Sequence, residues 1–318
     1  MRFLFLAALV AWTSLQSAPA PVALVDYHQH LFSPSIAAAG TFTAIDAERL
    51  VALLDEAGIK HALVLSLAYS YGNPNRPTRP LPDREYALVK AENDWTSAQV
   101  ARYPGRLVAF CSVNPLRPYA LDEITRCAAD PGLRRGLKMH FGNSDVRLDD
   151  AAHVARLREV FAAANRHHMA IVVHMRSTLS QKRPYGAASA RAFLNDVLPA
   201  APDVPVQIAH LAGAGGYDDP LVDEALGVFV EAIAKDDPRL RRVYFDVSGV
   251  AGLGEWRGKA TRIAERIRAI GVTRILYGSD GAGAGNLTPA EAWKAFTDLP
   301  LTDDERRIIA ANVAPYLR

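Results

Sequence analysis

The stretch ALVDYHQHLF, residues 23–32, runs from an apolar opening into Asp26, His28 and His30 at alternate positions. Val22 to Val25 reads as the start of a buried strand. Side chains alternate across a strand with a period of two, so the Asp and both His are expected on one face. Three polar groups on one side of a strand that enters an apolar interior mark the start of a site of chemistry.

Seven further runs share that apolar character: HALVLSLA (61–68), RLVAFCSV (106–113), RGLKMH (135–140), MAIVVH (169–174), VPVQIAH (204–210), RVYFDVSG (242–249) and RILYGSD (274–280). Near-continuous apolar runs are what parallel strands buried on both faces require. Helical patterns separate them. DAERLVALLDEAG (46–58) has leucines at helical spacing and stops on Gly58. DDAAHVARLREVFAAANRHH (149–168) opens on Asp and carries an apolar stripe, and LVDEALGVFVEAIAK (221–235) and ATRIAERIRAIG (260–271) behave alike. Eight strands alternating with helices predict an α/β fold, a (β/α)8 TIM barrel, over residues 21–318. A doubly wound open sheet is the second arrangement, but no dinucleotide-type glycine fingerprint follows the first strand. Two irregular stretches, LFSPSIAAAGTF (31–42) and YSYGNPNRPTRPLPD (69–83), are expected as loops over the C-terminal mouth of the barrel.

The 318 residues are half apolar, enough for a large core, and 36 basic against 34 acidic residues give a net charge of +2. That balance provides no electrostatic footprint for nucleic acid. The opening MRFLFLAALVAW, followed by TSLQSAPA, reads as a secretory signal peptide over residues 1–20, with a small-residue site at Ala18 to Ala20 and Pro21 beyond it. The apolar run is too short for a comfortable membrane span, so a secreted or periplasmic protein without a stable span is expected. Cys111, in a strand-like run, and Cys127, in a helical stretch, are expected as buried free thiols, although export would permit a disulfide.

The polar residues that end the apolar runs converge on one mouth if the barrel forms. They are His28 and His30, Lys138 and His140, His174, His210 and Asp280. Singly, each has a bland reading: a surface or core histidine, a turn-capping Asp, a snorkelling Lys. Jointly, several His and a carboxylate form a ligand set for Zn²⁺ or a similar cation. The other four histidines, His61, His153, His167 and His168, fall elsewhere and are expected to be structural or exposed.

In this order VDYHQH, GLKMH, AIVVH, QIAHLAG and ILYGSD resemble the amidohydrolase superfamily, in particular its branch containing aromatic-acid decarboxylases and lactone hydrolases. NVAPYL (312–317) resembles the closing helix of that branch, and the resemblance spans residues 22–318. It implies a metal-dependent hydrolase-type barrel in which His28, His30 and His174 bind one divalent metal and Asp280 completes the set or contacts the water it activates. His210 would stand beside that water, and Asp280 or His210 would act as general base. Zinc is the expected metal, and manganese or iron suits the same donors. In two-metal members a carbamylated strand-four lysine bridges the metals; here His140 lies nearer the strand end, so one metal is expected. Lys138, His140 and Arg176 would then face the substrate, with Arg176 placed to clamp a carboxylate and Tyr69, Tyr71, Arg76 and Arg79 as weaker candidates. Asp26 would either orient a ligand histidine or pair with Lys138 or an arginine.

The reaction expected first is hydrolysis of a small carbonyl substrate: an ester, lactone or amide. The alternative is non-oxidative decarboxylation of a small carboxylic acid, aromatic acids included, ranked second because such catabolism usually lies inside the cell. A third reading is a non-catalytic metal-binding barrel, which the complete ligand set disfavours. The sequence is compatible with a homo-oligomer and names no partner beyond a small molecule.

Overall fold

The computed structural model describes residues 21–318 except 41, 78, 218 and 219. The proposed leader, residues 1–20, lies outside the described residues.

Eight parallel strands form one sheet in sequence order: β1 Val25–Gln29, β2 His61–Leu65, β3 Leu107–Ser112, β4 Gly136–His140, β5 Ala170–His174, β6 Val206–Ile208, β7 Val243–Asp246 and β8 Ile275–Leu276. The gap between the first and last strands is bridged by the backbone. Tyr27 N–H donates to the Tyr277 carbonyl at 2.8 Å, and Asp280 N–H donates to the His28 carbonyl at 2.8 Å. The result is a (β/α)8 barrel.

The helices form where the apolar stripe and caps agree. Ala47–Ala57 buries Leu50, Leu53 and Leu54; Asp46 accepts from Arg49 N–H at its start, and Gly58 ends it at φ 75°. Ala151–Arg166, Pro220–Ala234 and Ala260–Ile270 match the other three expected helices. Two further helices, Pro289–Thr297 and Asp303–Ala311, each open with a Thr–Glu capping box. One cluster of buried residues packs strands against helices; a second, with Val25, Tyr27, Leu63, Phe110, Val172 and Leu276, fills the barrel interior.

Several expectations are corrected here. The long second loop is shorter than 69–83. Residues Ala68–Gly72 form a 3-10 turn, and Pro82 begins a 20-residue helix to Ala101, since proline at the first helical turn sacrifices no needed N–H. The final NVAPYL is not a helix: Asn312 has extended backbone, and only Pro315–Leu317 makes a 3-10 turn. Cys111 and Cys127 are not free thiols but a disulfide, with Cα atoms 6.1 Å apart, joining β3 to the helix Ala120–Ala129. Both the strand and the helix were legible; the facing of the two thiols was not.

β1 itself departs from regular alternation. Asp26 pairs with Ala62 and Gln29 with Val64, so three steps on β1 match two on β2. This is a β-bulge. It lets the adjacent residues Tyr27 and His28 both point inward, Tyr27 into the interior cluster and His28 into the mouth. Asp26 therefore does not share the face of the two histidines.

Candidate active site

The C-terminal mouth of the barrel holds a cavity of about 260 Å³. His28, His30, Lys138, His140, His174, His210 and Asp280 all line it, so seven strand-end residues singled out by the sequence meet in one place. Tyr69, Phe32, Phe42 and Asn143 complete much of its wall.

The ring partners fix which nitrogen each histidine presents. His28 Nδ1–H donates to Asp246 Oδ2 at 3.0 Å, and His30 Nδ1–H donates to the Leu65 carbonyl at 2.6 Å. Both partners only accept, so each neutral ring keeps its lone pair on Nε2. His210 follows the same rule, with Nδ1–H donating to the Ser248 carbonyl at 2.7 Å. His140 is the opposite case. Its Nδ1 accepts from Asn143 N–H at 3.1 Å, which leaves Nε2–H as a donor.

Electrostatics keep the rings of His28, His30, His140 and His174 neutral. Burial, followed by the Lys138 charge, pushes His28 down to about 4. Burial and the neighbouring His28 push His30 down to about 3. Burial first, then Lys138 beside His140 and the His140 ring beside His174, holds both well below the ordinary histidine value. Burial works to raise the Asp280 carboxyl, but His28, His210, His30 and the Gly281 N–H outweigh it and leave it below the usual carboxylate range. Neutral imidazoles and an ionised carboxylate are the forms a metal binds.

His28, His30 and Asp280 offer donor atoms that all lie within 4.8 Å of one another. Asp280 Oδ1 is 3.6 Å from His30 Nε2 and 4.0 Å from His28 Nε2. The donor set fits one divalent cation. Lys138 Nζ lies 3.1 Å from His28 Nε2 and supplies positive charge at this floor. Burial, opposed by Asp246 and Asp280, pushes Lys138 down to about 8, so it gives up its proton more readily than an exposed lysine. His174 lines the same cavity but is not part of that tight group among the described residues; its ring stacks on His140 at 3.7 Å between centroids.

Local backbone choices aim these groups. β6 stops at Ile208, earlier than expected, because His210, Leu211 and Ala212 take φ of 54°, 49° and 66°. His210 N–H donates to Asp246 Oδ1 at 3.0 Å, which secures the turn. In YGSD, a Cβ on Gly278 would sit 2.8 Å from His28 Cβ and 3.3 Å from His28 N, so only glycine lets β8 pass so close to β1.

Asp246, at the end of β7, is the residue that sequence reasoning missed. Besides His28 it accepts from Gln207 Nε2–H at 2.6 Å and from Ser248 N–H at 3.1 Å. It does for His28 what Asp26 was expected to do. The signal was present: an Asp ending an apolar strand run, the same criterion that picked out the residues ending the runs of β1, β4, β5, β6 and β8. Asp26 instead accepts from His28 N–H, Ser279 N–H and Gln29 Nε2–H, locking the bulge to β8 without touching a histidine ring or Lys138. Arg176 is not brought into the cavity; it is buried with its guanidinium 4.7 Å over the Tyr185 ring. Of the loop candidates, Tyr69 reaches the mouth, whereas Arg79 is exposed.

A barrel whose C-terminal mouth gathers neutral histidines and an ionised aspartate over a buried lysine defines the metal-dependent amidohydrolase class. The chain belongs to the amidohydrolase family, whose model matches residues 25–312. No curated protein matches the sequence. Among solved structures, a 5-carboxyvanillate decarboxylase from Sphingomonas paucimobilis is 16% identical at a TM-score of 0.61, covering 91% of this chain and 97% of that one. A 5-carboxyvanillate decarboxylase from Novosphingobium aromaticivorans, complexed with manganese and 4-hydroxy-3-methoxy-5-nitrobenzoic acid, is 16% identical at 0.62, covering 93% and 95%. A protein from Acinetobacter baumannii described as a probable 2-pyrone-4,6-dicarboxylic acid hydrolase is 17% identical at 0.57, covering 90% and 95%. At these identities the likeness is one of fold.

Proposed function

We propose that this amidohydrolase-family enzyme is a metal-dependent, non-oxidative decarboxylase of a small aromatic carboxylic acid. The observation that carries the reading is the composition of the mouth: a floor of His28, His30 and Asp280 beneath walls that include the rings of Phe32, Phe42 and Tyr69. A flat ring suits the walls, and its polar substituents suit the floor. The two decarboxylases of like fold support it. Hydrolysis ranked first in the sequence only through export, which bears on location and not on the mouth.

When bound by His28, His30 and Asp280, a divalent cation supplies polarisation of a substrate oxygen. His140 Nε2–H donates to another oxygen of the acid, and the Lys138 ammonium offsets its charge. Decarboxylation breaks the bond between ring carbon and carboxylate, leaving the electron pair on carbon; one proton enters and one carbon dioxide leaves. His210 takes that proton up at its bare Nε2 and passes it to carbon, because its Nδ1–H is committed to the Ser248 carbonyl.

Zinc is the metal we propose, with manganese as the alternative that one related structure contains. We also propose that the protein is exported, on the strength of residues 1–20 and of the disulfide, which an oxidising compartment preserves. A hydrolytic reading has its own support: the same bare Nε2 of His210 can take a proton from water, and one related structure is described as a hydrolase. Turnover of substituted benzoic acids in deuterated water separates the two. Carbon dioxide release with deuterium at the former carboxyl carbon is expected. Label from oxygen-18 water in a new carboxylate or hydroxyl, without carbon dioxide, would establish hydrolysis.

A further inference from the structure

A second cavity of about 640 Å³ adjoins the mouth and shares Phe42, Ser70 and Asn143 with it as a common wall. The lining of this outer cavity includes apolar residues, Ile36 and Ala39 among them, and the polar Asn75 and Arg76. Among the described residues no Asp or Glu lines it.

Arg76 is the feature that gives the cavity a chemistry. Its guanidinium lies 5.5 Å over the Tyr71 ring, and Tyr71 is buried and tied by its hydroxyl to Ser35 Oγ at 2.6 Å. The platform is therefore fixed, and the arginine above it is half-buried. Some arginines of this chain pair with carboxylates, as Arg183 does with Asp145 at 2.8 Å and Arg126 with Glu123 at 2.7 Å. Among the described residues Arg76 has no such ion pair. A guanidinium held on an aromatic face, in a cavity with an apolar lining and no lining carboxylate, presents a planar fork that matches an incoming carboxylate.

We propose that the outer cavity is a second substrate subsite, taking a distal carboxylate carried on a short apolar arm while the reacting end of the same acid occupies the mouth. The inference rests on the proposed function and narrows its substrate class to aromatic acids with two separated carboxylates. The arm lies along Ile36 and Ala39, passes the wall at Phe42 and Ser70, and sets its terminal group against Arg76.

The test is binding, independent of turnover. The full chain, kept with manganese in the buffer, is titrated by calorimetry with 3-(3-carboxyphenyl)propanoate and with 3-ethylbenzoate, which has the same ring carboxylate and a neutral arm. The dicarboxylate is expected to bind on the order of tenfold tighter or more, the gain of one charge-assisted pairing. Arg76→Gln should bring the two affinities together by weakening the dicarboxylate alone; unchanged 3-ethylbenzoate affinity certifies the fold of the variant. Arg76→Glu should reverse the preference. Equal affinities in the wild type, or a preference that survives Arg76→Gln, overturn the subsite and leave the decarboxylase reading to its isotope test. Binding of neither acid overturns the subsite together with the aromatic-acid reading.

Discussion

The two ends of the barrel are built from the same strands to opposite specifications. Tyr27 and His28 are neighbours in β1, yet one serves the base and the other the mouth. At the base the C-terminus returns beneath the strands: the Tyr316 ring meets Phe110 at 5.3 Å and Tyr27 at 6.0 Å, edge to face. Its polar groups are satisfied. Tyr316 O–H donates to Gln207 Oε1, Ala314 N–H donates to Tyr27 Oη at 2.7 Å, and Asn312 Nδ2–H reaches the Val272 and Ile275 carbonyls at 2.7 and 2.6 Å. The mouth gathers the buried titratable groups and also holds positive φ at His210, Leu211, Ala212 and Asp280, each costing roughly 1–3 kcal/mol in a non-glycine residue. Stability is concentrated at one end and chemistry at the other, as in barrels of this type.

The sharpest break of that contrast comes from paired variants. Asp280→Asn preserves shape and removes the charge at the floor; turnover should fall on the order of 10³-fold with the melting temperature held. Tyr316→Ala should do the reverse, lowering stability by about 3 kcal/mol while kcat stays within twofold of wild type. Urea melts and steady-state rates on both proteins check the pair, and a Tyr316→Ala enzyme that folds normally but fails to turn over would dissolve the division.

The disulfide comes next. It closes a segment of 16 residues between β3 and the helix that packs outside it, and its reduction should cost roughly 3 kcal/mol. Melting with and without reductant measures this, and thiol titration of unreduced protein should find no free cysteine. A smaller effect is expected at Asp246→Asn, which loosens the orientation of His28: metal affinity should drop about 10- to 100-fold with the fold intact.

The smallest effect is a pH dependence beside the mouth. Burial pushes Glu92 up to about 7, while Ser33 Oγ–H donates to its Oε2 at 2.6 Å and thereby steadies the cap of the helix Pro34–Ala39. A carboxyl raised by folding is protonated in the native state and ionised in the unfolded chain between about 4.5 and 7. This contribution to stability is therefore present below that window and declines as pH rises through it. Glu92→Gln should flatten the decline, read from chemical denaturation at pH 4.5, 6 and 7.5.

How much of this was legible follows from what each signal depends on. Strand positions and the mouth's polar residues were readable because buried parallel strands leave apolar runs and a barrel sends all their ends to one face. The bulge was not readable: one extra residue in β1 leaves no compositional trace, and it displaced Asp26 from the role that Asp246 fills. The helix Pro82–Ala101 was obscured by the three prolines before it and the one that opens it. The disulfide depended on the facing of two elements that pattern alone does not orient. Arg176, two residues beyond β5, followed strand alternation only until the chain turned it toward Tyr185.

The central claim is that the mouth is a single metal centre whose donors are His28, His30 and Asp280. Elemental analysis of freshly purified protein tests it most directly, made on wild type, His28→Ala and Tyr316→Ala. The account predicts close to one equivalent of divalent transition metal per chain in the wild type and in Tyr316→Ala, and none in His28→Ala. A wild type without metal, or a His28→Ala protein that keeps its full equivalent, would contradict it.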